Sequence, residues 1–445
     1  MRTNLGQRSR HLPGPRTANQ SNPLSDPASY PPTDLVGLIP LTRILGRDCL
    51  GNMSNASSTA RREPVLHKIA FQYYPLDVNA TSNPFLVSWW PLALRDPALF
   101  HVSLQTACLD EELLAQKGFQ ASGILMADSV SLLRQKIGDI SLAVQDGTLN
   151  AVITLATIEF GKGNIEVSEM HVEGVRRLVR LRGGINSVRQ TSPLTARMIS
   201  WVSMLIMGHP QFPVQDDAGT GDGIPPLPEW QLGPTTLDDT PEISWVIEDA
   251  VVRNAFLRLR YVFQSAQGAR LLGTRLHDLA CFVIHQLLRV VPDIPHLHSS
   301  PITECIRYAL ILYMFIIQGP TYYSHAVIFN SLVNQFVGYL QELESIPHVY
   351  DSLDVWIFGI GLVASTDTPS YRWLTERARA VSASLQLYSC DDAFACIKSV
   401  CWLETARGVD LFRFHWVAIL GDRSPLDPLE FALSPSPSSL CGASL

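Results

Sequence analysis

The 445-residue sequence predicts an all-α fold, a large irregular antiparallel helical bundle or stack. Three observations predict it. Apolar residues recur at three- and four-residue steps through most of the chain. The alternation of β-branched residues that a half-buried strand needs is almost absent. Capping residues and glycines punctuate the periodic stretches at helix-length intervals. A hydrophobic fraction of 46% against 17% charged residues supplies a substantial core.

The elements follow in order. Residues 1–60 are rich in Ser, Pro, Asn and Arg without periodicity and are expected to be a disordered N-terminal segment. From Arg61 the helical pattern takes over and defines one domain over 61–420, with no internal repeat. Asp96-Pro97 pairs an N-cap carboxylate with a proline at the first helical position, so a helix starts there. Leu99, Val102, Thr106, Leu109 and Leu113 line one of its faces, and Gly118 ends it. A second helix is expected over Ser122–Ile140, and a third carries Leu149, Val152, Ile153, Ala156 and Phe160 up to Gly161 and Gly163. The stretch "HVEGVRRLVRLRGGINSV", residues 171–188, holds a fourth, and Ser192-Pro193 opens a fifth that ends near Gly208.

Residues 209–244 break the pattern. They hold many Pro and Gly together with Asp216, Asp217, Asp222, Glu229, Asp238, Asp239 and Glu242, and no Lys or Arg. The segment predicts a long acidic surface loop. Helices resume at about 246–266, 275–291, 302–318, 323–344, 352–366 and 369–387, with one or two more between 391 and 420. A Ser/Pro-rich tail, 421–445, is expected to be loose.

Charge and cysteine usage narrow the function classes. The formal net charge of -7 gives no global positive field for nucleic acid or anionic lipid. The eight cysteines, Cys49, Cys108, Cys281, Cys305, Cys390, Cys396, Cys401 and Cys441, are scattered and form no C-x-x-C pair. With no secretory h-region at the N-terminus, they read as buried thiols of a reducing compartment. Arg2, Arg8, Arg10 and Arg16 precede the first acid, Asp26, but Pro13 and Pro15 break the amphipathic helix a mitochondrial presequence needs. The glycosylation patterns at Asn55 and Asn79 carry no consequence without secretion. No apolar run reaches the roughly 18–20 residues of a bilayer span. The best, Tyr308–Ile317, reads as a buried helix, and no membrane partner is expected.

The candidate motifs resolve to structural readings. Around the stretch 171–188, Glu166, Glu169 and Glu173 precede Arg176, Arg177, Arg180 and Arg182, the order a helix dipole favours. Val172, Val175 and Val179 supply its apolar stripe. A packed helix with a solvated charged face fits this better than a nucleic-acid grip. Gly183-Gly184 follows the helix, where glycine supplies a left-handed cap; a phosphate loop would precede one. Gly359, Gly361 and Ala364 match G-x-G-x-x-A, but no βα repeats surround them, so a packed helix is expected. Cys390, Cys396 and Cys401 lack zinc-site spacing, and His296 and His298 lack a third ligand. Asp391-Asp392 lacks the further carboxylate that would hold magnesium and fits a helix start. No nucleophile, metalloprotease or β-lactamase motif occurs. The sequence therefore assigns no catalytic residue, no metal site and no cofactor.

Several segments in sequence carry a family resemblance. "NPFLVSWWPLALRDPALFHVSLQTA" (83–107), "LNAVITLATIEFGKGN" (149–164) and "HVEGVRRLVRLRGGI" (171–185) succeed one another at short spacing. They resemble the regulatory domain of fungal-specific zinc-cluster transcription factors. "VWIFGIGLVASTDTPSYRWLTERA" (355–378) and "VCWLETARGVDLFRFHW" (400–416) look like its later segments, so the resemblance spans about 61–420. It implies an all-helical nuclear domain (the alternative location being the cytoplasm) that regulates a DNA-binding factor, receives protein partners or a small-molecule effector, and often supports a homodimer. It implies no catalytic residues. Such factors carry a six-cysteine, two-zinc cluster near the N-terminus, whereas here Cys49 is the only cysteine before Cys108. Direct sequence-specific DNA binding is therefore not expected from this chain alone. The reading is a transcription-regulatory protein. The rival is a small-molecule-binding protein or enzyme on the same scaffold. The acidic loop with Trp230 and the tail motif "PLDPLEFAL" are candidate activation-type contacts.

Overall fold

Asp96 starts the first long helix as its sequence position requires: Oδ1 accepts the backbone N–H groups of Ala98 at 3.1 Å and Leu99 at 3.2 Å. The computed structural model that shows this describes residues 83–421 except 115, 117, 234–245, 267–270, 272, 289–299, 320 and 322–324. The N-terminal segment 1–60, Cys49, Asn55, Asn79, His296, His298, the acids Asp238, Asp239 and Glu242, and the tail with Cys441 lie outside the described residues.

Helices of seven or more residues are numbered along the chain. After a π-helical turn, Phe85–Trp89, and a short helix, Trp90–Ala93, come α1 (Pro97–Leu114), α2 (Gln120–Ile137), α3 (Asp146–Gly161), α4 (Ile165–Leu181), α5 (Ile185–Thr191) and α6 (Pro193–Met207). Gly208 stops α6 with φ 71°, the left-handed cap that glycine adopts without strain. The second half comprises α7 (Ala250–Ala266), α8 (Gly273–Leu287), α9 (Pro301–Gln318), α10 (Ala326–Glu344), α11 (Ser352–Ala364), α12 (Ser370–Ser384), α13 (Cys390–Val400) and α14 (Ala406–Leu420). Capping boxes start α11 (Asp351 with Asp354) and α13 (Ser389 with Asp392). No strand occurs among the described residues, only an isolated bridge between Val214 and Ile224.

Two helices organise the core. α3, buried almost along its whole length, packs against α1, α4 and α6. α11, buried all round, is enclosed by α9, α10, α12, α13 and α14. The G-x-G-x-x-A run lies in α11 and is helical. A Cβ on Gly359 would sit 3.2 Å from Nε1 of Trp416, and one on Gly361 would sit 3.1 Å from Leu374. These glycines let neighbouring helices close in. The two halves meet where α6 packs against α8 and α10.

Two expectations change. α9 extends the apolar run to 18 residues of mean hydropathy 1.3, so it is long and apolar enough to cross a membrane, yet 72% of it is buried among the other helices, as a core helix is. The acidic segment is irregular as expected, but its described part, 209–233, is not a free surface loop. Trp230, in the short helix Pro228–Gln231, is fully buried and meets Phe282 of α8 edge to face at 5.3 Å. Asp217 accepts from Nε1 of Trp230 at 2.7 Å, from Gln286 at 3.3 Å and from Asn254, and Glu229 pairs with Arg275. Of the acids that suggested a solvated loop, Asp217 and Glu229 point at donors on α7 and α8, whereas Asp216 and Asp222 are exposed and accept from backbone N–H groups of the segment itself.

Candidate functional site

Where the halves meet, one carboxylate holds two guanidiniums. Asp278 sits in the second turn of α8, 6% exposed as a side chain. Arg189, in the last turn of α5, donates to both of its oxygens at 3.2 and 3.0 Å. Arg197, on the first turns of α6, donates through Nε and Nη2 at 2.8 and 2.9 Å. Both pairs are bidentate, the geometry in which arginine binds carboxylate most strongly. Burial alone would raise the Asp278 carboxyl; the two guanidiniums, Arg197 foremost, outweigh it and hold the group below the usual carboxylate range. Beside this clamp lies a cavity of about 10 Å³ bounded by Ser200, Cys281 and the backbone of Gly223 and Ile224 from the 209–233 segment. It has room for about one water.

A layer of buried imidazoles adjoins the clamp. His277 faces Nε2 of Gln318 at 3.3 Å and meets Trp201 edge-on at 5.0 Å, while Trp201 donates to Thr321 at 3.4 Å. His285 Nδ1 lies 2.7 Å from the carbonyl of Cys281, and His325 stacks on Phe315 at 5.3 Å. Burial pushes His277, His285 and His325 each down to about 4, so all three are neutral at neutral pH. Burial also pushes the Cys281 thiol far up, which keeps it protonated and unreactive.

A larger opening lies at the head of α3. This open cleft, about 450 Å³, is lined by Leu92, Arg95, Asp96, Val144, Gln145, Asp146, Gly147 and Arg182. Asp96 of the lining pairs with Lys136, and Arg182 binds Asp146, the Val144 carbonyl at 3.1 Å and Thr191 at 2.6 Å. Gly147 is forced to be glycine: the place of its Cβ is filled by the Asp96 carboxylate. Arg95 is exposed and has no ion-pair partner among the described residues. The volume lies within the roughly 300–1,000 Å³ of small-molecule sites, and the charges of the lining balance, Arg95 and Arg182 against Asp96 and Asp146.

Residues 69–208 match the model of the fungal-specific transcription factor domain. No curated protein matches the chain, and neither does any solved structure. The matched segment covers α1–α6 and ends on Gly208, the left-handed stop of α6. The cleft lies wholly inside it. The clamp spans its border, with Arg189 and Arg197 inside and Asp278 outside. The segments 355–378 and 400–416, which resemble later parts of such regulators, fall outside the match.

Within the matched segment, the arginines of α4 sit as the charge order predicts. Glu173 holds Arg176 at 2.7 Å, Arg180 at 2.8 Å and Arg177 at 3.5 Å, and Gly183 and Gly184 terminate the helix at φ 96° and 95°. Beyond the domain, Asp392 is spent on the capping box of α13 and Asp391 reaches Arg413 at 3.2 Å. Cys390 and Cys396 are half-buried, Cys401 is buried, and burial pushes its thiol up to about 12. Among the described residues no three of His, Cys, Asp or Glu gather to hold a metal. Sequence reasoning missed the clamp, whose partners lie 81 and 89 residues apart, and the cleft, which forms only when three helix ends converge.

Proposed function

We propose that the chain is a nuclear transcription regulator whose helical domain receives a protein partner or a small polar effector, and that its action does not pass through a zinc cluster within these 445 residues. The family match over α1–α6 carries the regulatory reading. The open cleft inside the matched segment supports an effector bearing negative charge, because Asp96 and Asp146 already have cationic partners and the exposed guanidinium of Arg95 is the available counter-charge. An occupant there meets Asp96 of the Asp96–Lys136 pair and both members of the Asp146–Arg182 pair. It can therefore bias how α1, α3 and α5 pack, and through Arg189 how α5 holds α8.

The test tethers the full chain to a heterologous DNA-binding module upstream of a reporter in fungal cells, with a fluorescent fusion to follow its location. A nuclear signal and a changed reporter output are expected, with the response altered by Arg95→Ala. A cytoplasmic protein without reporter effect would overturn the regulatory reading. Tight, sequence-specific promoter binding by the purified chain would overturn the part that concerns the zinc cluster.

A further inference from the structure

The outer face of α14 ends in bare apolar surface. Phe414 is 70% and Val417 49% exposed, Ala418 is exposed beside them, and half-buried Leu411 precedes them. These positions recur at three- and four-residue steps, so they form one stripe over two turns. The opposite face, with Phe412, Trp416 and Ile419, is buried in the core. Arg413, the charged neighbour of the stripe, is engaged with Asp391 of α13 at 3.2 Å and with the Phe394 ring at 5.3 Å.

An independent sign lies in the sequence that follows. Leu426-Asp427-Pro428-Leu429-Glu430-Phe431 holds three helix-start signals at once. Asp427 is an N-cap residue with Pro428 at the first helical position, the pair that starts α1 at Asp96. Glu430 stands three residues after Asp427, the spacing of the capping box that Asp351 and Asp354 form at α11. Leu426 and Phe431 occupy the two places of a hydrophobic staple. In a helix started there, Leu429, Ala432 and Leu433 share one face, and Ser434-Pro435 ends it. A helix of about seven residues is too short to stand alone in water, so it forms only against an apolar surface.

We infer that residues 427–433 of this chain dock on the outer face of α14, antiparallel to it. α14 ends at Leu420, and only 421–426 separate it from Asp427. Connections of about two to eight residues are the ones that join antiparallel helix neighbours. The returning helix, about 10 Å long, covers the same length of α14 as Phe414–Leu420. Leu429, Ala432 and Leu433 then lie over Phe414, Val417 and Ala418. So short a tether supplies an effective concentration on the order of 1 mM, which favours the chain's own tail over a second copy or another protein as the occupant. While docked, the apolar side of the motif PLDPLEFAL is hidden, and a partner must displace it from α14 to bind. The docking does not depend on the regulatory reading, since it concerns how the chain packs on itself.

Chymotryptic cleavage after Phe431 tests it, because cleavage of a segment that opens and closes quickly follows the open fraction. Release of 432–445 from the full chain, read by mass spectrometry at about 1 and 50 µM, is compared with cleavage of the free peptide 422–445. The wild type is expected to be cut about fourfold more slowly than the peptide at both concentrations, as a contact of ~0.3 mM gives under ~1 mM effective concentration. F414E/V417E, at positions exposed on α14, is expected to be cut at the peptide's rate, with unchanged helical circular dichroism as the folding control. L429E/L433E leaves the helices of the fold untouched and is expected to be cut as fast as its own free peptide. A wild type cut as fast as the peptide would overturn the inference. So would slowing that disappears on dilution, which assigns the tail to a second copy, and slowing that persists in L429E/L433E or in folded F414E/V417E.

Discussion

His277, His285 and His325 bind no proton in the fold at neutral pH, and the sign of the resulting pH dependence follows. Burial holds each near 4 against about 6.5 when unfolded, so the unfolded chain takes up protons first as the pH falls. Their contribution to stability is complete above about 6.5 and drains away between there and 4, at up to about 1.4 kcal/mol per pH unit for each imidazole. His415 and His171, also lowered by burial, act in the same sense. His348 opposes them: although burial lowers it, the Ile346 carbonyl and Asp354 raise it overall, so its contribution is present at low pH and lost as the pH rises. Asp278 stays outside this window, because its lowered carboxyl is protonated only in stronger acid. Urea unfolding from pH 7.5 to 4.5 should therefore show a midpoint that falls steeply below about 6.5. His285→Leu, which removes one buried imidazole, should flatten that fall. A midpoint flat to pH 5 would contradict the burial of these side chains.

The segment 209–233 shows what an element without regular structure contributes. Two of its acids are anchored inward, Asp217 under Trp230, Asn254 and Gln286, and Glu229 on Arg275. Trp230→Ala should cost about 3–5 kcal/mol, because it empties a fully buried indole site against Phe282. Asp217→Ala should cost about 1–3 kcal/mol, since the Trp230 N–H then loses its acceptor. Leu232→Ala, 71% exposed, should stay within about 0.5 kcal/mol. Equilibrium urea unfolding separates the three, and a Trp230 variant as stable as the Leu232 variant would show that the indole is not enclosed. The helices themselves were legible because their signals are local: Asp96-Pro97 and Ser192-Pro193 announce their starts, and Gly208 announces a stop. The inward turn of 209–233 was not legible, because Asp and Glu read as solvated until their donors on α7 and α8 are known. The same holds for the clamp. Nothing near Arg189 or Arg197 in the sequence distinguishes them from the surface arginines of α4, and Asp278 joins them only through the meeting of α5, α6 and α8.

At the scale of the molecule, the boundary of the recognised segment is not a boundary of the core. The match ends at Gly208, yet α6 presents buried Trp201, Ile199, Val202, Met204 and Leu205, and this helix packs on α8 and α10 as well as on α3. Trp201 finds its partners in His277, Phe315 and Thr321, all beyond the match, and Arg197 finds its counter-charge there too. Cut at Gly208, the first half would expose an apolar helix face and leave Arg189 and Arg197 facing each other without Asp278. Burying an aromatic side chain of this size contributes on the order of 2–3 kcal/mol, so losing the partners of Trp201 and its neighbours on α6 is comparable with the whole stability of a domain. The fragment 69–208 expressed alone is therefore expected to aggregate or to unfold without a cooperative transition, whereas the fragment 69–421 should melt in one cooperative step. Differential scanning calorimetry of the two decides it. A cooperative transition in the shorter fragment would show that α6 is stable without α8 and α10, and would make the clamp a contact between two self-sufficient parts.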